Sequence, residues 1–388
     1  MRKKIVLFIV AVFTFGFLHA QTIFVDGKWD DLNAKAKSAG KFLFVDCYTD
    51  WCGFCKLLDK NTFPDKNLSE IMNANFISTK LDMEKDYGIN LAMKYRVRGF
   101  PTALVFNPEG KLVYRIVGYA EPKKYIENIN KALDPKTQEN LNGVSAIVDL
   151  DFPQFYKDIF AGNGKRKWPD EKTVTGFLDQ QKDLFSEVSW SVLFVCNLND
   201  KYRQFFLDNV NKYSDLYGSE ANEKTTNLMY ELLSAAIKEK SDIKFKTCLE
   251  ETNKYFTVDK ENILLSFRLT YYSETGNWPD FAVEFGKYLD ASKYSNLNTI
   301  NTYCWNIYEK CDNPAVISKA CKWMKEATKK NSDYASVDTY ASLLYKDKNY
   351  KEAERVANLA IKIGKDSGEN VKETESLLVK IKADSGKK

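Results

Sequence analysis

The chain has 388 residues, of which 44% are hydrophobic and 14% aromatic, so it is long and apolar enough to bury more than one core. Its 57 basic residues nearly balance its 53 acidic ones, which gives no electrostatic reason to expect nucleic-acid binding. His19 is the only histidine. Because we expect the segment around it to be removed, the mature protein has no histidine base, no Cys–His nucleophile pair and no histidine metal ligand.

The first 20 residues have the pattern of a cleavable signal peptide. Positions 2–4 are basic, residues 5–17 are almost all apolar, and residues 18–20 resemble a cleavage site. The apolar run is shorter than the ~20 residues that a spanning helix needs, and no later segment is apolar enough to span. Removal of the segment leaves 54 basic residues against 53 acidic ones. We therefore expect an exported, periplasmic protein with no membrane span in its mature chain.

The next two elements predict a helix followed by a buried strand. Residues 29–39 form an amphipathic helix pattern with Trp29, Leu32 and Ala36 facing inward. Residues 41–48 are apolar, aromatic and β-branched, as a central strand should be.

Two cysteines three residues apart follow this strand. Cys52 and Cys55 precede a run of good helix formers at residues 56–60, which places Cys52 at a helix N-terminus and Cys55 one turn inside. Unpaired backbone N–H groups and the helix dipole lower the pKa of a thiol at that position. The pattern therefore predicts a dithiol in which Cys52 attacks a disulfide and the more buried Cys55 resolves the mixed disulfide.

The segment Val-Asp-Cys-Tyr-Thr-Asp-Trp-Cys-Gly-Phe-Cys-Lys at residues 45–56 resembles the active-site segment of the thioredoxin superfamily. Asp46 occupies the position of the buried carboxylate of thioredoxins, and Lys80 that of its lysine partner. Residues 98–102, Arg-Gly-Phe-Pro-Thr, are similar to the cis-proline loop of the family. Residues 62–67 look closest to the C-terminal domain of the membrane thiol:disulfide interchange proteins. The resemblance covers roughly residues 22–133.

This resemblance implies a thioredoxin-like α/β sandwich and a thiol–disulfide exchange activity that needs no organic cofactor. It implies that Asp46 has a raised pKa and relays the proton of Cys55, and that Lys80 moderates that rise. The catalytic residues are then Cys52, Cys55, Asp46 and Lys80. The residues implied to contact substrate are Trp51, Gly53, Phe54, Phe100 and Pro101. We expect no metal site, because only one CxxC motif exists and the mature chain lacks histidine.

One position departs from the thioredoxin pattern. Phe54 stands where thioredoxins have a proline between the cysteines. An aromatic residue there resembles disulfide isomerases, so the direction of electron flow stays open.

The rest of the first domain completes the expected sandwich. The patterns predict a strand at residues 76–83, a helix at 88–95, a hairpin with strands at 103–106 and 111–117, and a helix at 122–133. This order of strands and helices supports the α/β sandwich independently of the motif. We assign residues 21–137 to this domain.

After a linker at residues 134–136, strand patterns almost disappear. Apolar residues spaced three and four apart predict helices at 155–160, 174–185 and 205–217. We therefore expect residues 138–388 to form an all-α domain.

The last third of the chain resembles tetratricopeptide repeats. Ala320 and Ala327 precede Ala353 and Ala360 by 33 residues, close to the repeat period. The spacing is irregular, so we predict a degenerate helical solenoid, ending in a capping helix at residues 373–381.

We expect the cysteines outside the dithiol to be structural and not reactive. Cys47 lies in the central strand and should face away from the dithiol, because strand side chains alternate between faces. The default for the others is burial as small apolar residues. In an oxidising compartment, one pair among Cys304, Cys311 and Cys321 could instead form a bridge.

The sequence therefore predicts an exported thiol–disulfide oxidoreductase that reduces protein disulfides and docks its partner with the helical domain. Its partners would be protein disulfides and a membrane or periplasmic thiol electron donor. Two alternatives stay open. The protein could act as a disulfide isomerase or oxidant, or as a binding or assembly protein built on a redox-idle thioredoxin scaffold.

Overall fold

A computed structural model describes residues 21–162, 166–256 and 259–386. The predicted signal peptide at residues 1–20 lies outside these ranges. The chain divides into two compact units, the first ending at Thr225 and the second beginning at Thr226. The first unit therefore contains the predicted sandwich together with part of the predicted helical domain.

A four-stranded mixed sheet organises the first unit. Its strands are β1 (Phe42–Tyr48), β2 (Phe76–Asp82), β3 (Thr102–Phe106) and β4 (Leu112–Val117). They lie in the order β2-β1-β3-β4. β1 runs parallel to β2 and antiparallel to β3, and β3 and β4 form the predicted hairpin. Central strand β1 buries five consecutive residues, which explains why its sequence is apolar apart from Asp46.

Short helices flank this sheet. They are α1 (Trp29–Ala39), α2 (Gly53–Leu57), a π-helical segment (Leu58–Thr62), α3 (Lys66–Asn75), α4 (Asp86–Lys94) and α5 (Pro122–Leu133). As predicted, α1 buries Leu32 and Ala36, and Trp29 packs edge-on against Phe106. Asp65 begins α3 by accepting a hydrogen bond from the backbone N–H of Leu68.

Further helices complete the first unit. They are α6 (Gln154–Ile159), α7 (Glu171–Leu178), α8 (Glu187–Val195), α9 (Asp200–Asp208), α10 (Val210–Tyr217) and the beginning of α11 (Ser219–Glu239). Two predicted helices are interrupted, which corrects the sequence interpretation. The helix predicted at 174–185 ends at Leu178, and Ser186 then caps the separate helix α8. The helix predicted at 205–217 is divided at Asn209, which ends α9 and begins α10.

The second unit is all-helical in the residues that the structure describes. It contains the remainder of α11, then α12 (Asp242–Tyr255), α13 (Lys260–Thr275), α14 (Trp278–Ser292), α15 (Leu297–Lys310), α16 (Pro314–Lys330), α17 (Tyr334–Lys346), α18 (Tyr350–Ser367) and α19 (Lys372–Ser385). Ala341, Ala353, Ala357 and Ala360 are fully buried where α17, α18 and α19 pack on one another, and such small side chains let helices approach closely. The helical character is confirmed, whereas the repeat assignment stays a prediction.

Two properties of the described residues bear on the earlier expectations. None of their helices has the length and apolarity required to cross a bilayer. Cys304, Cys311 and Cys321 are buried free thiols, so the structure forms none of the bridges considered for them.

Candidate active site

Cys52 and Cys55 are joined by a disulfide at the beginning of α2. Cys52 immediately precedes the helix, and its Sγ accepts a hydrogen bond from the backbone N–H of Cys55 at 3.0 Å. Cys52 is 3% exposed and Cys55 is 5% exposed. In this oxidised form, Cys55 is therefore not the more buried cysteine, because the bond holds the two sulfurs in one shared environment.

Asp46 and Lys80 are brought together by the register of the sheet. They are direct partners on the parallel strands β1 and β2, and Asp46 Oδ2 lies 3.5 Å from Lys80 Nζ. Asp46 is 2% exposed, and its Oδ1 has no hydrogen-bond partner among the residues that the structure describes. Burial raises the pKa of Asp46 to about 7, and Lys80 opposes this rise.

A third charged residue, Asp59, belongs to the same cluster. It lies in the π-helical segment after α2, and its Oδ1 forms a short ion pair with Lys80 Nζ. The negative charge of Asp59 contributes to the raised pKa of Asp46. The sequence analysis missed this residue, although its position two helical turns after Cys52 was a usable signal.

Aromatic residues form an exposed rim around the dithiol. Trp51 and Phe54 are 61% and 60% exposed. The Trp51 indole N–H donates to Glu84 at 3.0 Å, and its ring packs edge-on against Phe100. Phe54 lies beside Tyr119, with ring centroids 6.2 Å apart.

The loop before β3 reaches the same edge of the sheet as the dithiol. Because β1 and β3 are antiparallel, with Cys47 opposite Thr102, the residues after β1 and before β3 lie at one edge. The Phe100–Pro101 peptide bond is cis, and the Pro101 carbonyl accepts from the Gly118 N–H. Gly53 is exposed, and a side chain there would meet nothing within 4 Å. The structure thus gathers the predicted site residues at one end of the sandwich.

Two other potential reactive groups are accounted for. Cys47 is fully buried in β1, and burial raises the pKa of its thiol well above the ordinary value. Such a thiol is inert at neutral pH. Within the described ranges, no group of histidine, cysteine or acidic side chains is arranged to hold a metal ion.

Comparison with known proteins assigns this region to a family. A family model described as "Thioredoxin-like domain" matches residues 30–133. Residues 30–133 are a thioredoxin-like domain. The fold expected from the sequence is thereby confirmed for this part of the chain, and the Cys52–Cys55 disulfide and Asp46 lie within the domain.

Proteins with similar thioredoxin-like domains are named for thiol–disulfide chemistry. The thiol:disulfide interchange protein DsbD of Pseudoalteromonas atlantica is 30% identical over 104 residues, which cover 26% of this chain and 17% of DsbD. The protein disulfide-isomerase of Hordeum vulgare is 31% identical over 98 residues, which cover 25% of this chain and 19% of the isomerase. The chain thus spans less than a fifth of the length of either relative.

A solved structure is similar to part of this chain. The solution structure of a protein described as a disulphide-isomerase from Bacteroides thetaiotaomicron is 35% identical, with a TM-score of 0.28. The alignment covers 30% of this chain and 95% of that protein.

Proposed function

We propose that this protein is an exported thiol–disulfide oxidoreductase that reduces protein disulfides in the periplasm. The observation that carries the proposal is the Cys52–Cys55 disulfide at the beginning of α2, together with Asp46, a buried carboxyl of the preceding strand β1 whose pKa is raised to about 7. Groups with strongly perturbed pKa values cluster at functional sites.

The reaction begins with the reduced dithiol. The Cys52 thiolate attacks one sulfur of a substrate disulfide, and the other substrate sulfur leaves as a thiolate that takes up a proton. Cys55 then gives its proton to the Asp46 carboxylate and attacks Cys52 Sγ. The second substrate thiol leaves, and the Cys52–Cys55 disulfide forms. Two electrons have passed to the substrate, and a membrane or periplasmic thiol donor restores the dithiol.

Asp46 suits the role of proton acceptor in this sequence. A carboxyl with a pKa of about 7 is partly ionised at neutral pH, so it can both accept a proton and release it again. Lys80 keeps part of Asp46 ionised at neutral pH, because its positive charge opposes the rise in pKa that burial causes.

The exposed rim provides the surface for the substrate. Trp51, directly before Cys52, and Phe54, between the two cysteines, offer exposed apolar side chains, and Gly53 adds no side chain between them. The backbone at Phe100 and Pro101 is available to pair with an extended substrate segment.

The helical residues after 137 are proposed to dock the partner. The support is their repeat-like sequence and several exposed apolar side chains in the second unit, among them Tyr230, Ile243, Val283 and Val379. A Cys55→Ser variant should trap substrate proteins as mixed disulfides. Removal of residues after 225 should then change the set of trapped proteins but not the reduction of a small generic disulfide. An unchanged set would contradict docking.

The catalytic assignment is tested by an insulin-type reduction assay on the mature chain. We expect Cys52→Ser to abolish reduction, and Cys55→Ser to accumulate a mixed disulfide with the substrate. In the reduced wild-type chain, alkylation should modify Cys52 faster than Cys55. Faster alkylation of Cys55 would reverse the assignment.

A second candidate, disulfide isomerase or oxidant, is favoured by one feature. Phe54 replaces the proline found between the cysteines of thioredoxins, and its ring is exposed beside the disulfide. The reduction potential discriminates between these directions of electron flow.

A further inference from the structure

The segment that leads from α4 to the cis-proline loop has an unusual backbone. Arg96 has a φ of 56°, in the left-handed region that residues with a side chain seldom adopt. It is also 4% exposed. A buried, strained residue persists only where its surroundings hold it in place, and such residues cluster at functional sites.

Backbone carbonyls on both sides of Arg96 are held by residues outside the thioredoxin-like domain. The Tyr156 hydroxyl, in α6, donates to the Met93 carbonyl at 2.9 Å. The Arg166 guanidinium donates to the Arg98 carbonyl at 3.1 Å, directly before Gly99. The approach to the cis-proline loop is therefore fixed at its beginning and its end.

The Arg96 side chain is held by α8 and the start of α11. Its Nε–H lies 2.9 Å from both carboxylate oxygens of Glu220, and its Nη1 donates to the Ser191 hydroxyl at 3.0 Å. The Trp190 indole N–H donates to the same Glu220 carboxylate at 3.0 Å. Each group is buried, so each depends on the others to compensate for lost hydration.

A second buried ion pair lies two residues earlier. Lys94 Nζ is 2.7 Å from Glu187 Oε1, and the two side chains are 0% and 7% exposed. The other Glu187 oxygen accepts hydrogen bonds from the backbone N–H and hydroxyl of Ser145. The two buried cations of the segment, Lys94 and Arg96, are thus neutralised by acids from beyond residue 137.

We propose that α8 and the start of α11 form a clamp that positions the cis-proline loop for substrate binding, with Glu220 and Glu187 as its positioning residues. The inference deepens the proposed function and rests on it, because it assumes that the loop receives the substrate. The residues after 137 then set the affinity of the thioredoxin-like domain for disulfides.

Trp51 provides a readout of the loop that does not need activity. Its ring packs against Phe100, with centroids 5.9 Å apart, so the position of the loop determines the surroundings of the indole. The NMR signal of the Trp51 indole N–H, assigned with a Trp51→Phe variant, therefore reports on the loop.

The principal test is Glu220→Gln in the full mature chain. Glutamine keeps the shape and an acceptor for Trp190 but removes the charge that pairs with Arg96 and with Arg115 of β4. We expect KM for a disulfide substrate to rise about 5- to 30-fold, with kcat within about twofold of wild type. The Trp51 signal should shift or broaden. The reduction potential of the dithiol should not change, because the dithiol lies on α2.

A milder variant and a matched control complete the test. Arg166→Gln removes the hydrogen bond to the Arg98 carbonyl and leaves both buried ion pairs in place. It should therefore cause a smaller change in the same direction, even if Glu220→Gln fails to fold. Leu178→Ala deletes a buried apolar side chain from α7, which lowers stability but breaks no polar contact with the loop segment. It should leave KM and the Trp51 signal unchanged.

The outcomes separate the clamp from the proposed function. If folded Arg166→Gln and Glu220→Gln match wild type in KM and the Trp51 signal, the clamp is refuted. The clamp is also refuted if Leu178→Ala changes KM and the Trp51 signal as much as Arg166→Gln and Glu220→Gln do. If the wild-type chain reduces no disulfide, the proposed function is wrong, and the Trp51 signal alone decides whether the clamp exists.

Discussion

Asp46 links the stability of the domain to its chemistry. Its pKa is raised from 3.8 to about 7, so the folded chain holds a proton that the unfolded chain has released between these pH values. Stability therefore falls as pH rises from about 4 to about 7 and recovers none of this loss above 7. The shift corresponds to at most about 4 kcal/mol.

Replacement of Asp46 by asparagine should stabilise the folded chain and slow disulfide exchange. At pH 8, roughly one unit above the Asp46 pKa, Asp46→Asn should gain up to about 4 kcal/mol in urea unfolding, and below about pH 4 it should gain nothing. Disulfide exchange should slow at neutral pH, because the acceptor for the Cys55 proton is lost. Wild-type turnover from about pH 6 to about 9 would show that Asp46 relays no proton.

Substitutions of Lys80 and of Asp59 should shift the pKa of Asp46 in opposite directions. Asp59→Asn removes a negative charge and leaves Lys80 free to pair with Asp46, so the pKa of Asp46 should fall. Lys80→Met removes the opposing positive charge, so the pKa should rise. The acid limb of the exchange rate against pH measures both changes. Equal profiles for the two variants would mean that this cluster does not control the reaction.

The resemblance located Asp46 and Lys80, but it located neither Asp59 nor the charged residues that act over long sequence distances. Cys52, Cys55, Asp46 and Lys80 follow from the motif because their spacing is local or tied to a strand pattern. Arg96 and Glu220 are 124 residues apart, and no periodicity in the sequence connects them. Their pairing depends on how α11 packs, which is a tertiary property.

At the scale of elements, α8 shows why several helices after residue 138 were not located individually from the sequence. Glu187 and every residue from Ser189 to Val195 are buried, so the run has apolar residues on all sides and lacks the three- and four-residue period of a surface helix. Its β-branched residues are equally typical of a buried strand. By contrast, α1 and α5 each have one buried face, and their predicted bounds agree with the structure.

The buried ion pairs predict how the chain tolerates truncation. A chain of residues 21–137 keeps Lys94 and Arg96 but loses Glu187 and Glu220, and with them the contacts that hold both side chains and the left-handed backbone at Arg96. We expect this chain to melt well below a chain of residues 21–225, which keeps both pairs. Thermal unfolding followed by circular dichroism measures the difference. Equal melting temperatures would contradict this and favour an independent domain that ends at residue 137.

At the scale of the whole molecule, we propose that the two units have different roles, catalysis and partner docking. The first holds the dithiol and the clamp, and the second offers helical surface for a partner. The repeat pattern of the sequence predicted helices there because Ala353 and Ala360 mark buried helix faces. The repeat pattern could not predict which helices belong to the first unit. That depends on contacts made by residues outside helices and strands, such as Ser145 and Arg166.

The direction of electron flow is the central claim, and the reduction potential of Cys52–Cys55 tests it most directly. The cluster of Asp46, Lys80 and Asp59 holds two acids and one base, so its net charge is negative once Asp46 is ionised above pH about 7. Net negative charge destabilises the thiolate of a reduced dithiol. A dithiol that is less stable when reduced is a better reductant. Equilibration of the mature chain with thiol redox buffers should therefore give a value near that of thioredoxin, about −270 mV. A value near that of a strong oxidant, about −120 mV, would contradict the account.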